Sequence, residues 1–414
     1  MRKGIIISVV ALAIFAALWW YVSSVSPAPS EETGTVGESG FSLRKFFPFG
    51  QGSTGTENPT GNTADTGNTT VEENVAGLPV PDLRKVSESP VAGAVAIGTG
   101  TSTVIRYLDK GTGHIYDTGT NSLAQEKVSN TTIPKVHSAL WLSKGESLVM
   151  RYVRDDRATV ESFYAKLTAS KTQGNETLKE LEGVFLQKNI KEISVSPNKT
   201  RIFSLIKNGT KGTGVISLGD GSKKTSFDLP FYEFTPYWGA EGSITLTTKA
   251  SVRVLGYAYT LNTSTGSFSK LFGGVSGLTT RTNNDGAKVL FADNSLALSV
   301  FDTAKGGVSS LPLKTLPEKC VWSSKDKNTL YCAVPISIPM GDYPDAWYQG
   351  VVSFSDGLWK INILTGETTL VADFGKQGKD IDATELLLTP QENFLVFLNK
   401  KDSSLWILKI VSEI

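Results

Sequence analysis

From residue 78 onward the chain alternates short apolar runs of four to eight residues with clusters of Gly, Ser, Thr, Asn, Asp and Pro. Runs of this length, bounded by turn residues, predict β-strands. The stretch from Cys320 to Phe374 shows the unit most plainly. One run ends at Trp322, and others span Leu330–Val334, Leu358–Leu364 and Thr368–Val371, with polar turns between them. Once an insertion between the second and third runs is set aside, four strands joined by tight turns predict one antiparallel sheet. The unit recurs along the chain. Trp141, Val195, Trp238, Arg281, Trp322 and Leu388 occupy equivalent positions, at steps of 54, 43, 43, 41 and 66 residues, the last lengthened by the insertion. A period near 43 with four strands per unit is what a propeller blade requires.

A further unit precedes Trp141, with strands predicted at Val91–Ile97, Val104–Leu108, His114–Asp117 and Glu126–Ser129, which brings the count to seven. The last copy, Glu385–Leu388, Phe394–Leu398 and Leu405–Ile410, runs out of chain after three strands. Leu83–Ser87 can supply the fourth, and pairing the two ends would remove two open sheet edges. The expected fold is all-β: a seven-bladed β-propeller over 78–414, with six or eight blades as alternatives, its ring closed by an N-terminal strand. The motif of Trp322-Ser323 before an apolar strand, followed by Leu358-Trp359-Lys360-Ile361 and Thr365-Gly366-Glu367, resembles the WD40-like repeats of TolB-type propellers. With the segments that precede it, the chain is also similar in layout to membrane-anchored propeller proteins of bacteria. That resemblance implies the fold and says little about function.

Those preceding segments differ in character. Ile5 to Val22 carries no charge, and its eighteen residues would make about 27 Å of helix against a hydrocarbon core of about 30 Å. Arg2 and Lys3 precede it, Trp19, Trp20 and Tyr21 close it, and Glu31 and Glu32 follow. This predicts a signal-anchor in the cytoplasmic membrane over 1–22, with the N-terminus inside and the propeller outside. A cleaved signal peptide is the alternative, although Pro27 after Ser24-Val25-Ser26 disfavours cleavage. Residues 23–77 are rich in Gly, Ser, Thr, Asn and Pro and predict a flexible linker of about 40 Å mean span. Within it, Phe41, Phe46, Phe47 and Phe49 beside Arg44 and Lys45 form either a docking patch or an idle one.

Composition narrows the functional classes. Forty-one basic against 40 acidic residues give no basic excess, which argues against a nucleic-acid partner. Cys320 and Cys332 are the only cysteines, and they flank one hairpin turn. Opposed strand positions lie within disulfide reach, so a disulfide is expected outside the cytoplasmic membrane, with two free buried thiols as the alternative. The spacing fits no metal motif, and no metal or cofactor is expected. His114 and His137, the only histidines, read as strand or turn residues rather than triad members. Asp155-Asp156 reads as a solvated turn, and the Gly-Thr-Gly sequences at 98–100 and 111–113 read as turns rather than phosphate loops.

The best local candidate for binding is the insertion at 335–350. Its three prolines preorder it, and it carries Asp342, Tyr343, Asp345, Trp347 and Tyr348, the residue types of interface hot spots and sugar-stacking surfaces. The other reading of the same loop is that it folds over its own blade and buries these rings. The leading expectation is therefore a protein- or glycan-binding scaffold of the cell envelope. An envelope glycan hydrolase, with carboxylates at the channel mouth, and a structural assembly factor are the alternatives.

Overall fold

The structure is a computed structural model that describes residues 79–98, 103–154, 156, 159–170 and 178–410. The expected anchor, the linker with its phenylalanine patch, and Asp155 lie outside the described residues. Among the described residues, no helix is long and apolar enough to cross a membrane.

The described chain is built from 28 strands in six sheets, antiparallel but for one bridge. Four sheets of four consecutive strands cover 190–229, 234–276, 279–314 and 320–373. An eight-stranded sheet over 91–185 divides into two antiparallel four-stranded halves, joined only by a parallel bridge between Ser129 and Lys179. The final sheet takes three strands from 383–409 and its fourth, Leu83–Lys85, from the other end of the chain. There Leu83 pairs with Leu408 and Lys85 with Trp406, and Ser87 Oγ accepts from the Leu405 amide at 3.0 Å. The four-stranded units are numbered below in chain order, from the first at 91–129 to the seventh at 383–409.

Strand position within a unit explains the sequence pattern. Second strands are largely buried, two of them almost throughout: Phe394–Asn399 is buried at every residue, and Thr329–Pro335 at all but one. Fourth strands are largely exposed, and Gln125–Ser129 and Thr225–Leu229 read as polar. Continuous apolar runs thus mark the inside of a unit rather than one half-buried face. The third-to-fourth-strand turn is the same in three units. Asn262, Asp302 and Asn362 each accept through Oδ1 from the amides two and three residues on. Gly266, Gly306 and Gly366 close these turns at φ of 73°, 70° and 75°, which a side chain would strain.

The larger apolar clusters sit between successive units. Trp141, Leu148 and Phe163 of the second unit pack on Leu108 and Ile115 of the first. Tyr331 and Leu358 of the sixth unit meet Leu395 and Trp406 of the seventh. Phe394, Val396 and Ile407 of the seventh close on Val91, Ile105 and Tyr107 of the first. The repeated tryptophans work at these boundaries. Trp141 Nε1 donates to Gly93 O at 3.1 Å, and Trp322 Nε1 to Arg281 O at 3.3 Å, each in the preceding unit. Trp238 instead donates to Glu241 O in its own turn, while its amide bonds Ser194 Oγ of the unit before. A disulfide joins Cys320 to Cys332, which are directly opposed across the first hairpin of the sixth unit.

Candidate functional site

Because strands alternate in direction, second-to-third-strand connections and links between units lie at one end of every sheet, and the remaining turns at the other. The insertion connects the second and third strands of the sixth unit, between Pro335 and Asp356. Its only helix is the single turn Asp345–Tyr348. Tyr343 is 4% exposed and Trp347 5%, and both rings pack on Phe354 with Leu296 of the fifth unit and Leu316 of the link between units. The Tyr343 hydroxyl donates to Pro339 O at 2.6 Å. These two rings form the loop's own core and offer no face to a ligand. Asp345 accepts from the Val252 amide of the fourth unit at 2.8 Å. Asp342 lies exposed, 3.9 Å from Arg253. Tyr348 is half exposed and donates to Glu318. Of the five residues singled out by sequence, only Asp342 and Tyr348 face outward.

Beneath the insertion lies a charged cluster that no local motif announced. Lys319 is fully buried, and its ammonium donates to Asp356 Oδ2 at 2.7 Å, to Ala383 O at 3.0 Å and to Asp382. It also lies 5.6 Å and 5.4 Å from the Trp347 and Phe354 ring centroids. Asp382 in turn accepts from Trp347 Nε1 at 3.0 Å and from the Phe354 amide at 2.9 Å, which ties the insertion to the seventh unit. Burial pushes the Asp356 carboxyl up to about 6, against the pull of Lys319, and its Oδ1 is buried without a hydrogen-bond partner. Two carboxylates converge here, but solvent does not reach them and the lysine holds both. The cluster is a clamp rather than a site for substrate.

The insertion of one unit therefore reaches three others: Val252 of the fourth, Leu296 of the fifth and Asp382 of the seventh. Its outer side mixes polar residues with exposed apolar ones. Met340 is 100% exposed, Val351 75% and Ile336 63%, and the neighbouring loop of the fourth unit adds Val254 and Leu255.

At the insertion end Lys249 lies 3.8 Å from Glu192 and 3.7 Å from Glu233, while Arg151 is 4.0 Å from Glu192. Burial pushes the Glu192 carboxyl up, against the pull of Arg151 and Lys249. His137, on the first strand of the second unit, is held below its ordinary value by burial and then by Lys110 and Arg151. His114 lies at a turn, 3.3 Å from Thr132 Oγ1. Asp156 accepts from the Thr159 amide and hydroxyl and caps its own turn. Among the described residues, no group of three His, Cys, Asp or Glu could hold one metal ion.

No family model matches the chain, and no curated protein matches it. Among solved structures it is similar to the β-propeller domain of Cps50 (Swd1) from Myceliophteria thermophila, at 10% identity and a TM-score of 0.47, over 80% of this chain and all of that one. It is also similar to an oligogalacturonate lyase from Vibrio parahaemolyticus, at 6% identity and a TM-score of 0.52, over 80% of this chain and 94% of that one. Repeated four-stranded sheets, with apolar cores between successive units, decide the class. The chain folds as a β-propeller. At such identities the likeness carries fold and nothing of activity.

Proposed function

We propose that this propeller is a binding scaffold that presents its insertion side to a protein partner. In this reading the four-stranded units are seven blades of a closed ring, and the strand Leu83–Lys85 is its clasp. Residues 5–22 hold the ring at the cytoplasmic membrane, and the linker 23–77 lets it reach a partner in the cell envelope. The observation that carries the proposal is the pairing of a braced loop with exposed apolar side chains on its outer face. A loop already fixed by Asp382, Val252 and Glu318 loses little conformational entropy on binding. Exposed Met340, Val351 and Ile336 suit an apolar protein surface. A glycan would need a platform of open aromatic faces, and of the loop's three rings only Tyr348 is exposed, Tyr343 and Trp347 being turned inward.

Photo-crosslinking with the full chain in cells tests this, with the reactive residue placed at Met340, at Val351, or at Lys305 on the opposite end of the sheets. Discrete protein adducts from Met340 and Val351, absent at Lys305, are expected, and Met340→Asp should suppress those formed at Val351. Adducts to glycan alone, or equally from both ends, would refute the protein-docking reading.

A second reading, glycan cleavage, draws on Glu192 and Glu233. These carboxylates are bridged by Lys249 at the same end, and burial raises Glu192. Two carboxyl groups side by side, one of them raised by burial, are the minimum that acid–base cleavage needs. Activity on an envelope polysaccharide that disappears in Glu192→Gln would establish it.

A further inference from the structure

In the cluster beneath the insertion, one amine stands against two carboxyl groups in a place closed to water. Lys319 lies in the link before the sixth unit, Asp356 opens that unit's third strand, and Asp382 directly precedes the first strand of the seventh. All three are buried, and the Trp347 and Phe354 rings stand 5.6 Å and 5.4 Å from the ammonium. One ammonium needs one carboxylate. The second is buried beside it with its Oδ1 left without a hydrogen-bond partner, which is a cost if the cluster only holds charge.

The two carboxyl groups are held differently. Asp382 turns Oδ1 to the ammonium, while its Oδ2 accepts from Trp347 Nε1 at 3.0 Å and from the Phe354 amide at 2.9 Å. Two N–H donors aimed at one carboxyl oxygen are what stabilises the negative oxygen of a carbonyl under attack. The Asp382 amide donates to Asn399 Oδ1 at 3.0 Å, which fixes its backbone. Asp356 Oδ2 accepts from the ammonium at 2.7 Å and from the Ala383 amide at 2.7 Å. Burial pushes the Asp356 carboxyl up to about 6, so it takes a proton more readily than an exposed aspartate does.

We propose that Lys319 and Asp382 join in an intramolecular amide bond, formed with loss of one water and with Asp356 carrying the proton. The ammonium passes a proton to Asp356 Oδ2, and the freed amine attacks Cγ of Asp382. The electron pair of the carbonyl moves onto Oδ2, where Trp347 Nε1 and the Phe354 amide hold it. Asp356 then delivers its proton to Oδ1, a second proton follows from the nitrogen, and Oδ1 leaves as water while the C–N bond remains. Of the three ammonium protons, one stays on the amide nitrogen and two depart with the water, so no oxidant or activated co-reactant is needed. Contact between amine and carboxyl supplies the proximity that condensation in water lacks, and a closed site withholds the water that would reverse it. The bond closes residues 319–382 into a covalent ring that includes the whole sixth unit and its insertion. It stands on the buried trio alone, whatever docks at Met340 and Val351.

Proteolysis of the purified full chain, after reduction and unfolding, followed by tandem mass spectrometry tests the bond. A branched peptide joining Lys319 to Asp382, lighter by one water than the sum of its two arms, is expected in place of the two linear peptides. Lys319→Met should release both arms as linear peptides. Asp356→Asn leaves both reacting groups in place and should lose most of the branched product. Only linear peptides from the unaltered chain, or a branch at Asp356 in place of Asp382, would overturn the assignment. An undiminished branch in Asp356→Asn would overturn the proton-carrying role of Asp356.

Discussion

Lys319→Met is the sharpest test of how the insertion is held. The substitution keeps an unbranched side chain one atom shorter but removes the one cation that two buried carboxylates share. Breaking a buried pair by removing one partner costs about 3–5 kcal/mol, against a total folding stability of about 5–15 kcal/mol. Urea unfolding at pH 7, followed by tryptophan fluorescence, should show that loss. Asp356→Asn makes the complementary change, leaving one ammonium facing one carboxylate. Its effect depends on pH, and the sign follows from burial. In the folded chain Asp356 titrates near 6 against an ordinary 3.8, so the folded state holds the extra proton between those values. The stability this group contributes is fully present below about 3.8 and is lost as the pH rises through about 6. A rise from 3.8 to about 6 corresponds to about 3 kcal/mol. Glu192, Glu318 and Glu385 are raised in the same direction, so the difference between unaltered chain and variant isolates the Asp356 share. That difference should change by about 2 kcal/mol between pH 4 and pH 7, with the unaltered chain relatively more stable at pH 4. Equal pH slopes in the two proteins, or a Lys319→Met variant within about 1 kcal/mol of the unaltered chain, would refute the account of the clamp.

Three further outcomes are expected. Replacing Cys320 and Cys332 together by Ser should destabilise the chain by about 3 kcal/mol, the chain-entropy value for so short a loop, and denaturant melts of the full chain will measure it. Deleting residues 79–87 removes the strand paired with Leu405–Leu408 and uncovers the last sheet, so calorimetry should show a lower and broader transition; an unchanged melt would argue against a closed ring. Trp347→Ala should cost about 3–5 kcal/mol through the cavity it leaves and the lost bond to Asp382, whereas Met340→Asp should leave the melting temperature where it is.

Much of the fold was legible because a repeat prints the same environment several times. Phe394 to Leu398 and Leu330 to Val334 read as strands because sheets cover both of their faces. The fourth strand of the last sheet was legible for a simpler reason: that unit ran out of chain after three strands, and Leu83–Ser87 stood ahead of the first unit, where Leu83–Lys85 is the strand observed. Cys320 and Cys332 could be paired because a hairpin places residues at that spacing opposite each other, a local consequence of register. The predicted strand limits differ from the observed ones by one or two residues, as at Asp356–Asn362, where the strand begins before the apolar run does.

The insertion shows where local pattern stops. Its sequence supplies three aromatic rings in a proline-rich loop, and that is compatible with rings turned out or in. The direction was decided by Leu296, Leu316 and Asp382, which belong to other units or to the links between them and leave no mark on the loop itself. Lys319 is the same case: its carboxylate partners lie 37 and 63 residues downstream, and nothing near Pro317 distinguishes it from a solvated lysine. Period and alternation along the chain thus determined the strands, the repeat and the class of fold, because they are set by neighbours a few residues away. Which charges are buried, which are paired and which ring faces a partner depend on residues brought together from different blades, and only the packed structure decided them.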